Sequence, residues 1–249
     1  MKHLDLFSGI GGFALAAKWA GIETVAFSEI DPFCCKVLEK NFPEIPNLGD
    51  IHNIKERLDV DLITGGFPCQ PFSQAGKKRG KEDDRYLWPE FFKVIQQQQP
   101  KAALIENVAN AAKMVLEIIL FDLESAGYQT CVFIIPACAA NAPHRRDRLW
   151  IIAHRDGLGA IGRLDPFRLG YIQENWKRHV AEIQQKWAQF LPDTWQTYTA
   201  RDWLDYNTRA SRGNDGVSKR LDKDRIKALG NAVVPQVVYP LLECIKRCL

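Results

Sequence analysis

A cysteine held between two prolines is the side chain in this sequence best suited to covalent chemistry. Cys69 lies in the run GGFPCQPFS at 65–73, directly after an apolar segment with the character of a β-strand. Cysteine is intrinsically nucleophilic although only a few per cent of it is ionised near neutral pH. Loops at the carboxyl ends of strands are also where open α/β sheets bind ligands. The flanking glycines and the basic residues at 77–81 favour an exposed loop over a buried cysteine in a rigid turn.

A glycine-rich turn near the start of the chain indicates a nucleoside-containing cofactor. The run DLFSGIGGFA at 5–14 places glycines between a strand and a helix, where they let the backbone approach a ligand closely. Glu29 follows at the end of the next predicted strand, at a spacing suited to ribose hydroxyl groups. Taken alone, this pattern leaves a dinucleotide cofactor, or a tight turn without a ligand, open.

Charged residues outside these two runs add a carboxylate and several basic clusters. Glu106 ends a predicted strand, and lysines and arginines cluster at 77–81, 145–148 and 209–227. Such clusters are typical of solvated surface or of contacts with nucleic-acid phosphates. A net charge of +3 does not decide between these two interpretations.

Alternating strands and helices would position these residues. The apolar pattern predicts strands at 3–7, 24–28, 61–64, 102–105, 130–135 and 149–153, and helices at 13–20, 32–41, 87–98 and 112–126. This alternation implies a mostly parallel sheet with helices on both faces. The pattern dissolves after His154, where an amphipathic helix is predicted at 172–190, and a last apolar helix follows Gly230.

Several classes of protein fit the sequence poorly. The seven cysteines are odd in number and irregularly spaced, which argues against a zinc site or a disulfide framework. No apolar run is long enough to cross a bilayer, and the first strand begins too early to leave room for a signal peptide. We therefore expect a cytoplasmic protein without a bound metal and without a membrane partner.

The motifs, taken in order, resemble those of the DNA (cytosine-5) methyltransferases. FSGIGG at 7–12 and GFPCQPFS at 66–73 resemble two signature motifs of that family. ENV at 106–108, HRRDR at 144–148 and GNAVVP at 230–235 are similar to its glutamate, arginine and C-terminal motifs. The resemblance covers the chain outside about 155–227, and the run APHRRDR at 142–148 is similar to phage and prophage members. His144 departs from it, because the arginine motif usually opens with glutamine.

The resemblance implies a two-domain organisation and a cofactor site. A Rossmann-like S-adenosyl-L-methionine-dependent domain would comprise 1–154 and 228–249, and a small target-recognition domain would comprise 155–227. Glu29 would bind the ribose hydroxyls, and Asp50 with Ile51 would hold the adenine. The remaining expected cofactor contacts are Phe7, Gly9, Gly11, Ile30, Pro68, Leu87 and Asn231.

The resemblance also implies a reaction on a cytosine flipped out of duplex DNA. Cys69 would add to carbon 6 of the ring, and Glu106 would protonate or hydrogen-bond ring nitrogen 3 if burial raises its pKa. Arg146 and Arg148 would bind the carbonyl oxygen of the base and steady the loop, with a structural ion pair as the alternative for both. Methylation of a short site of the restriction-modification kind, by a monomer, is the expected task.

Three other functions stay open at this point. An RNA cytosine-5 methyltransferase would share Cys69 and the cofactor pocket, but the branch that modifies transfer RNA has a cysteine-phenylalanine-threonine signature where this chain has CVF at 131–133. A catalytically inactive DNA-binding module would not need both Cys69 and Glu106. An NAD oxidoreductase would leave those two residues without a role.

Overall fold

The computed structural model describes residues 1–68, 86–109, 115–140, 146–155 and 219–249. Within them, six strands form one sheet: β1 (Lys2–Leu6), β2 (Glu23–Ser28), β3 (Leu62–Gly66), β4 (Ala102–Val108), β5 (Tyr128–Pro136) and β6 (Asp147–Arg155). The described helices are α1 (Gly12–Trp19), α2 (Pro32–Asn41), α3 (Trp88–Gln98), α4 (Leu116–Ser125), α5 (Lys219–Asn231) and α6 (Pro235–Cys248). Cys69, the predicted helix at 172–190 and most of the predicted second domain lie outside the described residues.

The strand order across the sheet is β2-β1-β3-β4-β6-β5. Strands β1 to β4 pair in parallel, whereas β6 is antiparallel to both β4 and β5, so that five of the six strands run in one direction. The predicted α/β fold with a mostly parallel sheet is confirmed. The chain order reverses between β1 and β3, and ligands of such sheets bind at the carboxyl ends of the strands beside this reversal.

Successive residues of each strand face opposite sides of the sheet, and each side is covered by helices. On β4, Ala103 and Ile105 join the core beneath α3 and α4, while Ala102 and Leu104 join the core beneath α1 and α6. A strand buried on both faces needs a continuous apolar run, which is why the predicted strand at 102–105 was visible in the sequence. Helices therefore lie on both faces, as predicted.

Local signals set some element ends, and pairing sets others. Helix α2 begins where predicted because the Asp31 side chain accepts hydrogen bonds from the backbone N–H groups of Phe33 and Cys34, with Pro32 at its first position. Strand β6 is longer than the predicted 149–153, because it is paired with β4 and β5 over its whole length. Helix α5 begins at Lys219, so the predicted domain boundary at 227/228 falls inside one continuous helix.

The last helix returns to the N-terminal part of the chain. Its inward side chains are buried against α1 and the sheet: Val237, Val238, Leu241, Leu242 and Ile245. The stretch Lys227–Arg247 is long and apolar enough to pass a length-and-composition test for a membrane-spanning helix, which is weak evidence taken alone. The stretch is apolar because the inward face of its last helix packs in the protein core.

Candidate active site

A cleft of about 680 Å³ opens at the carboxyl ends of β1, β2, β3 and β4. Phe7 and Phe67, the first residues after β1 and β3, form its floor, and both rings pack on α3. Phe7 stacks on Phe91 at a centroid separation of 6.0 Å, and Phe67 lies 5.7 Å from Trp88 and 6.2 Å from Phe91. Strand order and aromatic packing together bring the glycine turn beside the segment that leads to Cys69.

The Glu29 carboxylate organises one end of the cleft. Its Oε2 accepts a hydrogen bond from the Gly9 N–H at 2.7 Å, and its Oε1 accepts from the Ile30 and Asp31 N–H groups at 2.9 and 2.7 Å. Glu29 thus joins the glycine turn after β1 to the segment after β2. Because each carboxylate oxygen has two acceptor positions, Oε2 can also accept a hydrogen bond from a ligand hydroxyl.

Apolar side chains surround this polar end. The Ile30 side chain lines the cleft and is 67% exposed. The buried Ile51, in the first turn of a short 3₁₀ helix, Ile51–Asn53, also lines it. Asp50 caps that helix, since its Oδ1 accepts a hydrogen bond from the His52 N–H at 3.0 Å. Apolar side chains beside a carboxylate suit a flat ring attached to a sugar.

Glu106 and Arg148 form an ion pair at the other end of the cleft. Arg148 Nε lies 2.8 Å from Glu106 Oε1, and the two side chains are only 20% and 11% exposed. Burial raises the Glu106 pKa from 4.5 to about 6, while the charges of Arg148 and Arg146 and the Arg148 hydrogen bond oppose that rise. A carboxyl group with this pKa can hold or release a proton near neutral pH.

The second Glu106 oxygen faces the backbone of β3. A Cβ atom added at Gly66 would lie 2.7 Å from Glu106 Oε2, closer than side-chain contacts allow. Asn107, the next residue of β4, donates a long hydrogen bond of 3.4 Å to the Phe67 carbonyl. The glutamate is therefore fitted against the end of the strand that leads into the Cys69 loop.

Arg146 and Arg148 occupy different places. The Arg146 side chain is not part of the cleft lining; its Nη2 donates to the Gly230 and Ala232 carbonyls at 2.6 and 2.9 Å. Arg148 lines the cleft, and its contacts with Glu106 and with the Asp147 carbonyl use two of the five guanidinium N–H donors. The role on the base predicted for both arginines remains a prediction, and the geometry favours Arg148 for it.

Nine of the ten residues predicted to contact the cofactor line this one cleft: Phe7, Gly9, Glu29, Ile30, Asp50, Ile51, Pro68, Leu87 and Asn231. Gly11 is the exception, because a Cβ there would meet the Phe42 ring at 2.7 Å, so this glycine serves packing at the start of α1. Glu106 and Arg148 also line the cleft. Cys69 lies outside the described residues, although Pro68 before it is on the lining.

The sequence patterns missed the wall that α5 contributes. Lys227 Nζ lies 2.7 Å from Asp31 Oδ2, and both residues line the cleft together with Asp224 and Ala228. This ion pair lowers the Asp31 pKa and raises the Lys227 pKa. The proline after Asp31 marked a helix start, but no local signal could pair it with a lysine 196 positions away.

The donors and surfaces of the cleft fit an adenosine-containing cofactor. Gly9 has a φ of +55°, and a Cβ added there would meet no atom within 4 Å, so open space borders the backbone of the turn. The Glu29 carboxylate and the apolar Ile30 and Ile51 stand at the same end. No group of three or more metal-ligating side chains occurs among the residues that the structure describes.

Curated proteins to which this chain is similar include type II methyltransferases. The type II methyltransferase M.HhaI of Haemophilus parahaemolyticus is 34% identical over 165 residues, which cover 64% of this chain and 50% of that protein. The type II methylase M.HgiEI of Herpetosiphon aurantiacus is 36% identical over 226 residues, covering 85% of this chain and 51% of the relative. The chain spans about half the length of the curated relatives it matches.

Solved structures show the same likeness. A DNMT2 variant from Spodoptera frugiperda superposes with a TM-score of 0.54 at 28% identity, covering 66% of this chain and 53% of that one. A prophage-encoded DNA modification methyltransferase from E. coli superposes with a TM-score of 0.54 at 26% identity, covering 64% of this chain and 47% of that one.

A family model described as C-5 cytosine-specific DNA methylase matches residues 1–221. That range includes the glycine turn, the Cys69 loop, Glu106, Arg146 and Arg148. The chain therefore belongs to the family of C-5 cytosine-specific DNA methylases.

Proposed function

We propose that this protein transfers a methyl group from S-adenosyl-L-methionine to carbon 5 of a cytosine flipped out of a specific duplex DNA site. The observation that carries the proposal is the continuity of the cleft. Glu29 with its nucleoside-binding surroundings lies at one end, and the buried Glu106–Arg148 pair lies at the other. A cofactor and a base held at these two ends would share one enclosed space.

The cofactor end would hold S-adenosyl-L-methionine through Glu29, Ile30, Ile51 and the backbone at Gly9. Bound there, the cofactor would supply an electrophilic methyl group on a sulfonium centre. Asp50 and Leu87, which also line the cleft, would border the adenine. The Glu29 hydrogen bonds that the structure describes come from backbone N–H groups, so its oxygens keep acceptor positions for ribose hydroxyls.

The catalytic end would activate the base. The Cys69 thiolate would add to carbon 6 of cytosine, which makes carbon 5 nucleophilic and moves electrons onto ring nitrogen 3. Glu106 would hold a proton at that nitrogen, because its raised pKa keeps part of the carboxyl population protonated near neutral pH. Arg148 would bind the carbonyl oxygen of the base while it orients Glu106. Once carbon 5 has taken up the methyl group, with S-adenosyl-L-homocysteine as the other product, a base or water would remove the carbon 5 proton. The thiolate would then leave carbon 6 as the double bond re-forms.

The substrate must be extruded from the duplex, because carbon 6 cannot be reached within a stacked helix. Flipping costs a few kcal/mol, which phosphate contacts would offset. We place these contacts on the basic clusters of the sequence and site recognition in the predicted domain at 155–227. A monomer acting on cytoplasmic DNA, as part of a restriction-modification or phage system, is the simplest setting.

Transfer of a tritium-labelled methyl group from S-adenosyl-L-methionine tests the proposal. The substrates are duplex DNA of mixed sequence, the same DNA with every cytosine already 5-methylated, and transfer RNA. We expect label in the first substrate alone, located at cytosine carbon 5, and no transfer by Cys69→Ser. Label in transfer RNA alone would favour an RNA methyltransferase. No label in any substrate, from a protein that binds DNA, would favour an inactive binding module.

A further inference from the structure

We infer that Arg146 is a positioning residue that caps the C-terminal end of α5 and thereby shapes the cofactor side of the cleft. The last carbonyl groups of a helix have no partners within the helix, and a cation placed there is favourable. Arg146 Nη2 donates to the Gly230 and Ala232 carbonyls at 2.6 and 2.9 Å. These two carbonyls flank Asn231, the last residue of α5.

The backbone at Arg146 explains why this arginine does not enter the cleft with Arg148. Residues two apart on a strand share a face, so a regular strand would direct both guanidinium groups to the same side. Arg146 has a φ of 42°, in the left-handed region, immediately before β6 begins at Asp147. A left-handed conformation is costly for a residue with a side chain, and here it turns Arg146 toward α5.

The capped turn forms part of the cleft wall. Lys227, Ala228, Gly230 and Asn231 line the cleft. On the other side of the turn, a Cβ added at Gly12 would meet Val233 Cγ2 at 2.7 Å, so the turn is packed tightly on the start of α1. Arg146 thus connects the strand that carries Arg148 to the wall beside the glycine turn.

Two attachments hold this wall at different points. Lys227 pairs with Asp31 at the outer edge, where the lysine side chain is 63% exposed, and such pairs contribute little. Arg146 is partly buried and makes two charge-assisted hydrogen bonds, which are stronger. Burial and the neighbouring Arg148 lower the Arg146 pKa, whereas Glu106 raises it. We therefore infer that Arg146, more than Lys227, fixes the position of α5 at the cleft.

Calorimetric binding of S-adenosyl-L-methionine without DNA tests this inference, which rests on the proposed function. Arg146→Met removes both hydrogen bonds and should weaken cofactor affinity by roughly tenfold or more, because losing even one charge-assisted hydrogen bond corresponds to about that factor. Arg146→Lys keeps a donor and should recover part of that loss. The matched control, Arg225→Met, removes an exposed arginine of the same helix that does not line the cleft, and it should leave cofactor affinity unchanged.

Steady-state kinetics give a second readout. At saturating cofactor, Arg146→Met should recover most of the wild-type kcat while its KM for the cofactor stays raised. Unchanged cofactor affinity with a low kcat would overturn the inference and support a direct contact of Arg146 with the base. A wild-type protein that does not bind the cofactor would instead refute the proposed function. If Arg146→Met does not fold, Arg146→Lys against Arg225→Lys makes the same comparison.

Discussion

Two carboxyl groups are buried in the sheet, Asp5 in the interior of β1 and Glu106 at the cleft end of β4. Their neighbours shift the two pKa values to different extents. At Asp5, burial raises the pKa to about 8, opposed only by hydrogen bonds from the Thr64 hydroxyl and a backbone N–H, with the Glu29 charge adding to the rise. At Glu106, burial also raises the pKa, but two arginine charges restrain it to about 6.

The difference shows how one sheet can hold a carboxyl group that serves the fold, Asp5, and another that is suited to acid–base chemistry, Glu106. Asp5 belongs to a network inside the sheet in which Thr64 Oγ1 donates to Asp5 Oδ1 at 3.2 Å and lies 2.8 Å from His3 Nε2. Burial, with no cation lowering the pKa, favours the protonated form of Asp5 near neutral pH. Arg148 brings Glu106 into the range where both protonation states are populated near neutral pH, which acid–base chemistry requires.

Replacing the two carboxyl groups by amides should give the largest contrast. We expect Glu106→Gln to slow single-turnover methyl transfer by about 10²- to 10⁴-fold, the usual contribution of general acid–base catalysis. Asp5→Asn preserves shape and a neutral group and should leave the rate close to wild type. Equal losses in the two variants, at saturating cofactor and DNA, would remove the distinction between them.

Moving the Glu106 carboxylate without removing it should give a smaller effect. In Gly66→Ala the new Cβ would lie 2.7 Å from Glu106 Oε2, so the carboxylate must shift, and we expect a loss of about 10- to 100-fold, because small misplacements at a reacting centre are costly. The loss should largely vanish when Gly66→Ala is added to Glu106→Gln, because coupled residues are not additive. Additive losses would show that Gly66→Ala does not act through the Glu106 carboxylate.

Removing the Arg148 charge should raise the Glu106 pKa toward that of Asp5. The Arg148 charge is the largest factor that lowers the Glu106 pKa, and the Arg146 charge is the next. Arg148→Met should therefore raise the Glu106 pKa above 6, and Arg146→Met should raise it less. Carbon-13 NMR titration of labelled glutamate carboxyls measures both. A pKa that falls in Arg148→Met would contradict the role assigned to the ion pair.

Titration of the Asp5 network should change the free energy of unfolding rather than the rate of methyl transfer. The Asp5 pKa rises from 3.8 to about 8 on folding, so its stabilising contribution is full below pH 3.8 and is lost as the pH rises through 8. The His3 pKa falls from 6.5 to about 3, so its contribution is present above pH 6.5 and is lost as the pH falls. The two trends oppose each other below pH 6.5, which leaves a net fall in stability between pH 6.5 and 8.

Urea unfolding at pH 6.5 and 8.5 measures that fall. Asp5→Asn should abolish it, because the amide does not ionise. Asp59→Asn changes a carboxyl that is 96% exposed and should leave the fall unchanged. A wild-type free energy of unfolding that is constant or rises over this range would show that Asp5 is not held protonated.

Local patterns predicted much of this arrangement. Glycines and a glutamate at the ends of apolar segments predicted residues at one edge of the sheet, because parallel strands end at the same edge. Gly9 and Glu106 do line one cleft there, whereas the place of Cys69 stays a prediction. Asp31 with Pro32 fixed the start of α2 correctly. Each of these features depends on neighbours within a few residues in the chain.

Features that depend on distant residues were not predictable. The reversed direction and full length of β6 follow from its pairing with β4 and β5. The separation of Arg146 from Arg148 follows from one left-handed residue and from carbonyls 84 and 86 positions away. The pairing of Lys227 with Asp31 likewise needs the folded chain to bring α5 across the cleft.

Trapping the reaction on fluorinated DNA tests most directly the claim that Cys69 and Glu106 act together on a cytosine. A duplex with 5-fluorocytosine at the target cannot release fluorine as a cation, so the protein should stay joined to it through Cys69. A denaturing gel should show this adduct only with wild-type protein, S-adenosyl-L-methionine and fluorinated DNA together. Cys69→Ser should give none, and Glu106→Gln should form it much more slowly. Methylation of ordinary DNA without an adduct on fluorinated DNA, or an adduct that persists in Cys69→Ser, would contradict the account.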